Sequence, residues 1–373
     1  MFVERLKLNF FRNYDSLELR PNGGLNVIVG ENAQGKTNAV EAVFLCAFGR
    51  SHRTARDGEL INAGMSGGYV GLNLKNLTGS RLIEIKLRAG ERKQVFLDRL
   101  AAGRSGELMG VLNAVMFSPE DLELVKGAPV ERRRFMDMEL SQLRPAYYYV
   151  LQRYNTALKQ RNALLKPERA TAAKDPAALR RELYVWDEQL AQTGAEIMAM
   201  RADFLENLGK IAGGLHREIS SGKETLALRY APNVNVERAG GNAAAALSEA
   251  LYAGALEDIR RGFTSAGPHR DDIDLTLNGV NVRVFGSQGQ QRTAALSMKL
   301  SELALLRGVT GEAPVLLLDD VLSELDEPRQ RALLEAMDDC QTFLTCTTLE
   351  GLRRAGMKEI NAWRCEAGTL TRL

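Results

Sequence analysis

Two sets of motif residues stand near opposite ends of this chain, and that separation constrains its folding more than any other feature. Gly30-Glu31-Asn32-Ala33-Gln34-Gly35-Lys36-Thr37 fits the G-x-x-x-x-G-K-[ST] phosphate-binding loop. Far downstream stand Ser287-Gln288-Gly289-Gln290-Gln291-Arg292 and the apolar run Val315-Leu316-Leu317-Leu318, which closes on Asp319-Asp320. About 280 residues separate Lys36 from those carboxylates. A phosphate lysine and a magnesium carboxylate serve the same phosphate group. The chain must therefore fold as a discontinuous α/β nucleotide domain with a large insert between its two parts.

Local context supports the first piece. Leu25-Asn26-Val27-Ile28-Val29 is a short apolar, β-branched run suited to a buried parallel strand. After Thr37, helical spacing continues without a breaker until Gly49. Strand, glycine-containing loop and helix is the arrangement in which backbone N–H groups of residues 30–37 and a helix N-terminus cradle phosphates. Lys36 would reach the β- and γ-phosphates, and the Thr37 hydroxyl would ligate Mg²⁺. The pattern implies binding of ATP or GTP.

The second piece reads as a buried strand, residues 314–318, that delivers two acids at its C-terminal edge, where open α/β sheets place their ligands. Asp319 would hold Mg²⁺, a hard cation that wants oxygen ligands. Asp320 follows it, placed to orient the attacking water. Ser287 and Gly289 precede a run of good helix formers from Thr293 onward. A helix start of this kind either binds an anion through free N–H groups or is simply capped by its serine.

Between the two pieces the character of the chain changes. Candidate strands fall at residues 2–8, 16–19, 25–29, 69–74, 82–87 and 94–97, several alternating apolar with polar residues. From Val130 to Lys166 apolar residues recur in steps of three and four, which predicts an amphipathic helix with a kink at Pro145. Residues 167–176 form a polar, alanine-rich break. Helices are expected again at 177–211 and 243–261, with a short β segment near 225–230. The expected organisation is a head made from residues 1–125 and 262–373, with a helical arm domain over 126–261. Each main arm helix of about 35 residues would span roughly 50 Å, far short of a long coiled coil.

Composition sets outer bounds. A chain of 373 residues with 45% apolar content can bury a large core. No apolar stretch is long enough to span a bilayer, and the first residues do not begin a signal peptide. Cys46, Cys340, Cys346 and Cys365 lack metal-ligand spacing and read as reduced thiols of a cytoplasmic protein. The net charge of +2 permits a nucleic-acid partner through local patches without requiring one.

The phosphate loop, S-Q-G-Q-Q-R, the L-L-L-D-D strand and Ser323-Glu324-Leu325-Asp326 together resemble the ATP-binding-cassette (ABC-type) P-loop ATPase head, built in two lobes. Asn9-Phe10-Phe11-Arg12-Asn13-Tyr14, Arg132-Arg133-Arg134-Phe135-Met136-Asp137, Gln160-Arg161-Asn162 and Gly267-Pro268-His269-Arg270-Asp271-Asp272 narrow the resemblance to the RecF family of bacterial recombination-mediator ATPases. It covers essentially the whole chain in the right order.

The resemblance implies an ATP-dependent homodimer that binds double-stranded DNA and single-strand/double-strand junctions. It implies action with RecO and RecR to help RecA onto single-stranded DNA, in replication restart and the SOS response, with slow, DNA-dependent ATP hydrolysis as a switch. ATP and Mg²⁺ would be held by Lys36, Thr37 and Asp319, with Arg12 and Asn13 beside the nucleotide. Ser287, Gly289 and Gln290 would face the nucleotide of the other subunit, and Asp326 would link the two sites across the dimer. Asp320 departs from the glutamate usual in transporters, and Thr347 or Thr348 stands where transporters use a histidine. Candidate DNA contacts are the basic runs Arg50, His52, Arg53, Arg56 and Arg132, Arg133, Arg134. His269 lacks a partner pattern for catalysis and reads as a structural hydrogen bonder. A transporter ATPase subunit is the competing reading, against which stand the helical insert and the S-Q-G-Q-Q-R sequence.

Overall fold

The computed structural model describes residues 1–103, 105–166, 176–354, 357 and 360–373. The expected alanine-rich break lies outside the described residues, apart from Pro176, which starts a helix. The chain divides into two compact units. Met1–Leu122, Gly214–Lys223 and Arg292–Leu373 form the first, and Glu123–Gly213 with Glu224–Gln291 the second.

In the first unit the chain forms β1 (Phe2–Phe11), β2 (Tyr14–Leu19), β3 (Leu25–Val29), β4 (Gly67–Asn76), β5 (Gly79–Arg88), β6 (Gln94–Leu97), β7 (Leu100–Ala101) and β8 (Ala114–Phe117). The second unit contributes β9 (Leu226–Ala231), β10 (Asp272–Leu277) and β11 (Val280–Asn281). The first unit then adds β12 (Val315–Asp319), β13 (Thr342–Cys346), β14 (Asn361–Glu366) and β15 (Thr369–Arg372). All six expected strands of the N-terminal region are present. Those at 69–74 and 82–87 are longer than expected because β4 and β5 pair without a break from Gly67↔Arg88 to Asn76↔Gly79.

Two six-stranded sheets build the first unit. One is antiparallel, in the order β2-β1-β4-β5-β6-β7. The other runs β15-β14-β3-β13-β12-β8, parallel throughout except for the terminal β14–β15 hairpin. Leu316, Leu317 and Leu318 of β12 are fully buried, as central strands of a parallel sheet are. The helix Lys36–Phe48 contacts β4 and β5 of one sheet and β12 and β13 of the other. Its apolar residues lie all round it, which suits a helix enclosed on every side. Gly49 ends it in the left-handed region at φ 63°, its N–H donating to the Leu45 carbonyl at 2.9 Å.

The second unit holds the helices Pro129–Leu143, Pro145–Leu164 and Ala243–Arg261, most of Pro176–Ile219, and the sheet β11-β10-β9. Three expectations are corrected here. The helix predicted to kink at Pro145 instead breaks: Arg144 takes φ −138°, ψ 89°, because a residue before proline is pushed out of the helical region. Pro145 then starts a new helix, where its missing N–H costs nothing.

The helix expected to end at residue 211 continues to Ile219, 44 residues or roughly 66 Å. Two of its glycines, Gly209 and Gly213, lie against β9. A Cβ on Gly213 would stand 3.1 Å from the Leu226 carbonyl oxygen, and one on Gly209 would stand 3.4 Å from that of Leu228.

The expected boundary at residue 262 also moves. β10 pairs antiparallel with β9 from Leu277↔Leu226 to Asp272↔Ala231, so residues 262–291 join the second unit, and the first resumes at Arg292. Among the described residues no helix is long and apolar enough to cross a membrane.

Candidate nucleotide-binding site

Strand register assembles the site. β13 lies between β3 and β12, pairing Asp319 with Thr345 on one side and Thr345 with Ile28 on the other. The start of the phosphate loop, Thr345 and Asp319 therefore emerge at one C-terminal sheet edge. There Thr37 Oγ1 donates to Asp319 Oδ1 at 2.8 Å across 282 residues of sequence. Thr345 Oγ1 donates to the same oxygen at 2.7 Å.

The loop adopts a conformation that needs its glycines. Gly35 sits at φ 114° and Ala33 at φ 64°. A Cβ on Gly35 would lie 2.5 Å from the Asn13 amide, and one on Gly30 would lie 2.4 Å from the Cys365 carbonyl oxygen. Lys36 is 7% exposed, and its Nζ donates to the carbonyls of Gly30 at 2.7 Å and Glu31 at 2.8 Å, with Asn32 Oδ1 at 3.5 Å. The first N–H groups of the helix Lys36–Phe48 have no partner within that helix, which leaves an anion-binding end. Thr37 and Asp319 add two hard oxygens. Among the described residues no cluster of three or more His, Cys, Asp or Glu could hold a metal. The donor set therefore fits Mg²⁺ that takes its remaining ligands from phosphate and water, and does not fit an all-protein cage.

Asp320 stands at φ 52°, a left-handed conformation aspartate tolerates better than most residues. Its N–H donates to Thr345 Oγ1 at 3.0 Å, and its carbonyl accepts from Ser323 Oγ at 3.0 Å. One threonine hydroxyl thus ties down both acids of the pair. Sequence reading passed over Thr345, which directly follows the apolar run ending at Leu344, and considered Thr347 and Thr348, which are exposed beyond the end of β13.

The Arg12-Asn13 turn divides its labour. Asn13 Nδ2 donates to the Gln34 carbonyl at 2.8 Å, and Asn13 Oδ1 accepts from Asn38 at 2.8 Å. Tyr14, given no role of its own in the sequence reading, donates its hydroxyl to the Gly35 carbonyl at 3.0 Å. The guanidinium of Arg12 is held by both oxygens of Glu41, at 2.9 and 2.7 Å, and by the Glu59 carbonyl at 2.8 Å. Of the two, Asn13 touches the loop. Burial alone would raise the Glu41 carboxyl, but Arg12 and the Ser51 hydroxyl at 2.5 Å outweigh it and hold the group below its ordinary range. A lone glutamate inside an otherwise apolar helix was the signal for this pair, since a buried carboxylate requires a partner.

The second motif forms a reciprocal cap. Ser287 N–H donates to Gln290 Oε1 at 2.8 Å, and Gln290 N–H donates to Ser287 Oγ at 3.2 Å, at the start of the helix Gln288–Thr310. Ser287 is exposed and Gly289 half-buried. Gln290 Nε2 also reaches Glu224 at 2.9 Å. Asp326 caps the helix Glu327–Ala336 and binds the Arg329 guanidinium at 2.6 Å. These residues fall on different units: Ser287, Gly289 and Gln290 on the second, Asp326 and the phosphate loop on the first.

The two basic runs differ in fate. Arg132 is 2% exposed and forms a two-pronged ion pair with Asp272 at 2.6 and 2.9 Å, so it is withdrawn from any DNA surface. Arg133 donates to the Asp271 carbonyl at 2.8 Å. Arg53 and Arg56 are exposed, and Arg53 reaches Asn38 at 2.9 Å. The remaining motif residues fill the polar core of the second unit. Arg161, fully buried, pairs with Asp187 and Asp258 at 2.6 Å each. Arg201 reaches Asp137 at 2.8 Å and Asp271 at 3.4 Å. His269 bonds Tyr154 at 2.6 Å and the Thr264 carbonyl oxygen at 3.0 Å, the structural role expected of it, and burial lowers its pKa to about 4.

Comparison with known proteins follows the same lines. A family model described as the RecF/RecN/SMC N-terminal domain matches residues 2–365. The DNA replication and repair protein RecF of Alkaliphilus oremlandii (strain OhILAs) is 43% identical over 357 residues, 95% of each chain. That of Acetivibrio thermocellus is 43% identical over 370 residues, 99% of each chain. A solved structure of the recombination mediator protein RecF-ATP in the RecFOR pathway superposes with a TM-score of 0.91 at 33% identity, covering 100% of this chain and 97% of that one. The Smc head domain from Pyrococcus furiosus shares the fold at 16% identity, with a TM-score of 0.56. Identity sustained over nearly the full length, on a fold that rejoins the two halves of the nucleotide site, makes this chain a member of the RecF family.

Proposed function

We propose that the chain is an ATP-driven switch protein of DNA replication and recombinational repair. In this reading it dimerises on ATP, binds duplex DNA at gaps and junctions, and works with RecO and RecR to load RecA on single-stranded DNA. The observation that carries the proposal is the 2.8 Å contact between Thr37 and Asp319, which rejoins the two ends of the chain at one sheet edge. Support for the biological role comes from relatives named for DNA replication and repair.

When bound, Mg²⁺-ATP supplies the γ-phosphoryl group and the cation that neutralises its charge. Lys36 and the N–H groups of residues 30–37 bind and orient the phosphates, while Thr37 and Asp319 hold the cation's protein side. Asp320 orients the attacking water, its backbone pinned by Thr345. Thr345→Val keeps the shape of the side chain and removes the hydroxyl that serves both acids. Turnover should fall roughly tenfold or more with ATP affinity little changed, and Thr345→Ser should restore it. Equal turnover in the valine variant would remove Thr345 from the machinery.

Exposed Ser287 at a capped helix start suits contact with a γ-phosphate presented by a second copy. ADP lacks that group, so only ATP favours the closed pair. Sedimentation with ATP, with ADP and without nucleotide tests this: wild type should dimerise with ATP alone, and Ser287→Arg should stay monomeric while binding ATP normally. Duplex-DNA binding with and without ATP separates this reading from that of a transporter subunit. DNA binding that is absent or indifferent to ATP would sink the repair reading.

A further inference from the structure

The C-terminal hairpin β14–β15 sits against the phosphate loop. Its two-residue tip, Ala367-Gly368, has both residues at positive φ, 45° and 75°, as the tightest β-hairpin turns require. The tip N–H groups of such a turn ordinarily face water. Here both are committed to one residue: Ala367 N–H donates to Gln34 Oε1 at 2.7 Å, and Gly368 N–H donates to the Gln34 carbonyl at 3.1 Å. Cys365 Sγ, at 3.3 Å, and Asn13 Nδ2, at 2.8 Å, reach the same carbonyl. The main chain of β14 also backs the first residue of the loop, where a Cβ on Gly30 would strike the Cys365 carbonyl. Gly368 admits no side chain, since a Cβ would stand 2.1 Å from the Asn13 carbonyl oxygen.

We propose that this hairpin tip is a positioning clamp for nucleotide binding, in which Ala367 and Gly368 hold Gln34 so that the phosphate loop is preformed before ATP arrives. The inference rests on the nucleotide-site reading and deepens it. Phosphate capture needs several loop N–H groups aimed at one point, and a loop free to sample other conformations binds only through its competent fraction. Gln34 is gripped from two sides, by the β1–β2 turn through Asn13 and by the β14–β15 turn. Both grips close on Gln34, so in this proposal the clamp favours substrate and transition state equally. Loosening it weakens binding and leaves the saturated rate alone.

The test compares Gly368→Ala, Gln34→Leu and Ala367→Gly in the full chain, with a fluorescent ATP analogue and a fluorescent ADP analogue as probes. Gly368→Ala forces the tip away from Asn13 and should weaken both nucleotides roughly tenfold, the scale of one or two lost hydrogen bonds. Its KM should rise with kcat unchanged. Gln34→Leu loses only the side-chain bond and should show a smaller rise. Ala367→Gly keeps both N–H donors and should weaken binding far less than Gly368→Ala. Hydrogen exchange at residues 30–35 should quicken in Gly368→Ala while the core strands stay protected. Wild-type nucleotide affinity in Gly368→Ala, or a fall in kcat at constant KM, overturns the clamp. Failure of the wild-type chain to bind either probe would overturn the nucleotide-site reading itself, a separate outcome.

Discussion

Lys36→Ala should lower ATP turnover by roughly 10²–10³-fold in a chain that still folds, the scale seen when one preorganised charge-stabilising donor is removed from a site. The ammonium lies within 2.8 Å of two loop carbonyls, Gly30 and Glu31, at the start of a helix whose remaining residues are packed between two sheets. Removal takes away the charge opposite the phosphates and leaves those carbonyls without their donor. Lys36→Arg should fail nearly as badly, because a planar guanidinium cannot occupy the compact position that an ammonium takes between them. Phosphate release measured beside a thermal melt checks both variants. Wild-type turnover with an unchanged melt would remove Lys36 from the phosphate site.

The largest stability effect is expected far from the nucleotide. Asp258→Ala leaves Arg161 buried with Asp187 and Thr264 but without the 2.6 Å ion pair that joins it to the helix Ala243–Arg261. Leaving a buried charge without any partner costs about 3–5 kcal/mol, and because Asp187 still compensates Arg161 the loss here should fall at the lower end of that range. Ser265 loses its acceptor as well, since its N–H and hydroxyl both bond Asp258 Oδ1. Replacing the whole cluster, with Arg161→Met, Asp187→Leu and Asp258→Leu, should recover much of the loss. Urea unfolding in a Trp363→Phe background lets Trp186, beside Asp187 in the second unit, report on this region alone. A midpoint unchanged in Asp258→Ala would mean the ion pair contributes nothing.

Much of this was open to reading in the primary structure, wherever a feature is local. The phosphate loop declares itself because its glycines, lysine and threonine are contiguous. The helix Ala243–Arg261 was placed correctly at both ends, since Asn242 offers a cap and Gly262 a left-handed stop. The apolar run closing on Asp319 read as a buried strand, which β12 is. In each case a period of two or 3.6, or a cap, reports a physical demand confined to a few neighbouring residues.

What the chain's order could not convey was partnership. Periodicity says that a face is buried and is silent on what buries it. Arg132 looks like a surface cation within Arg132-Arg133-Arg134, yet Asp272, 140 residues away, draws it inside. β13 could be suspected as a strand, but only its pairing between β3 and β12 turns Thr345 toward both acids. Residues 262–291 were assigned by position, and the hydrogen bonds of β9 with β10 reassigned them. By itself, then, the sequence determined the chemistry of the site and the need for its two ends to meet, because a phosphate lysine and a metal carboxylate serve one group. Only the tertiary structure decided which residues hold that chemistry in place: Thr345, Tyr14 and the Ala367-Gly368 tip act through strand pairings and close approaches across as many as 333 positions, which no local pattern encodes.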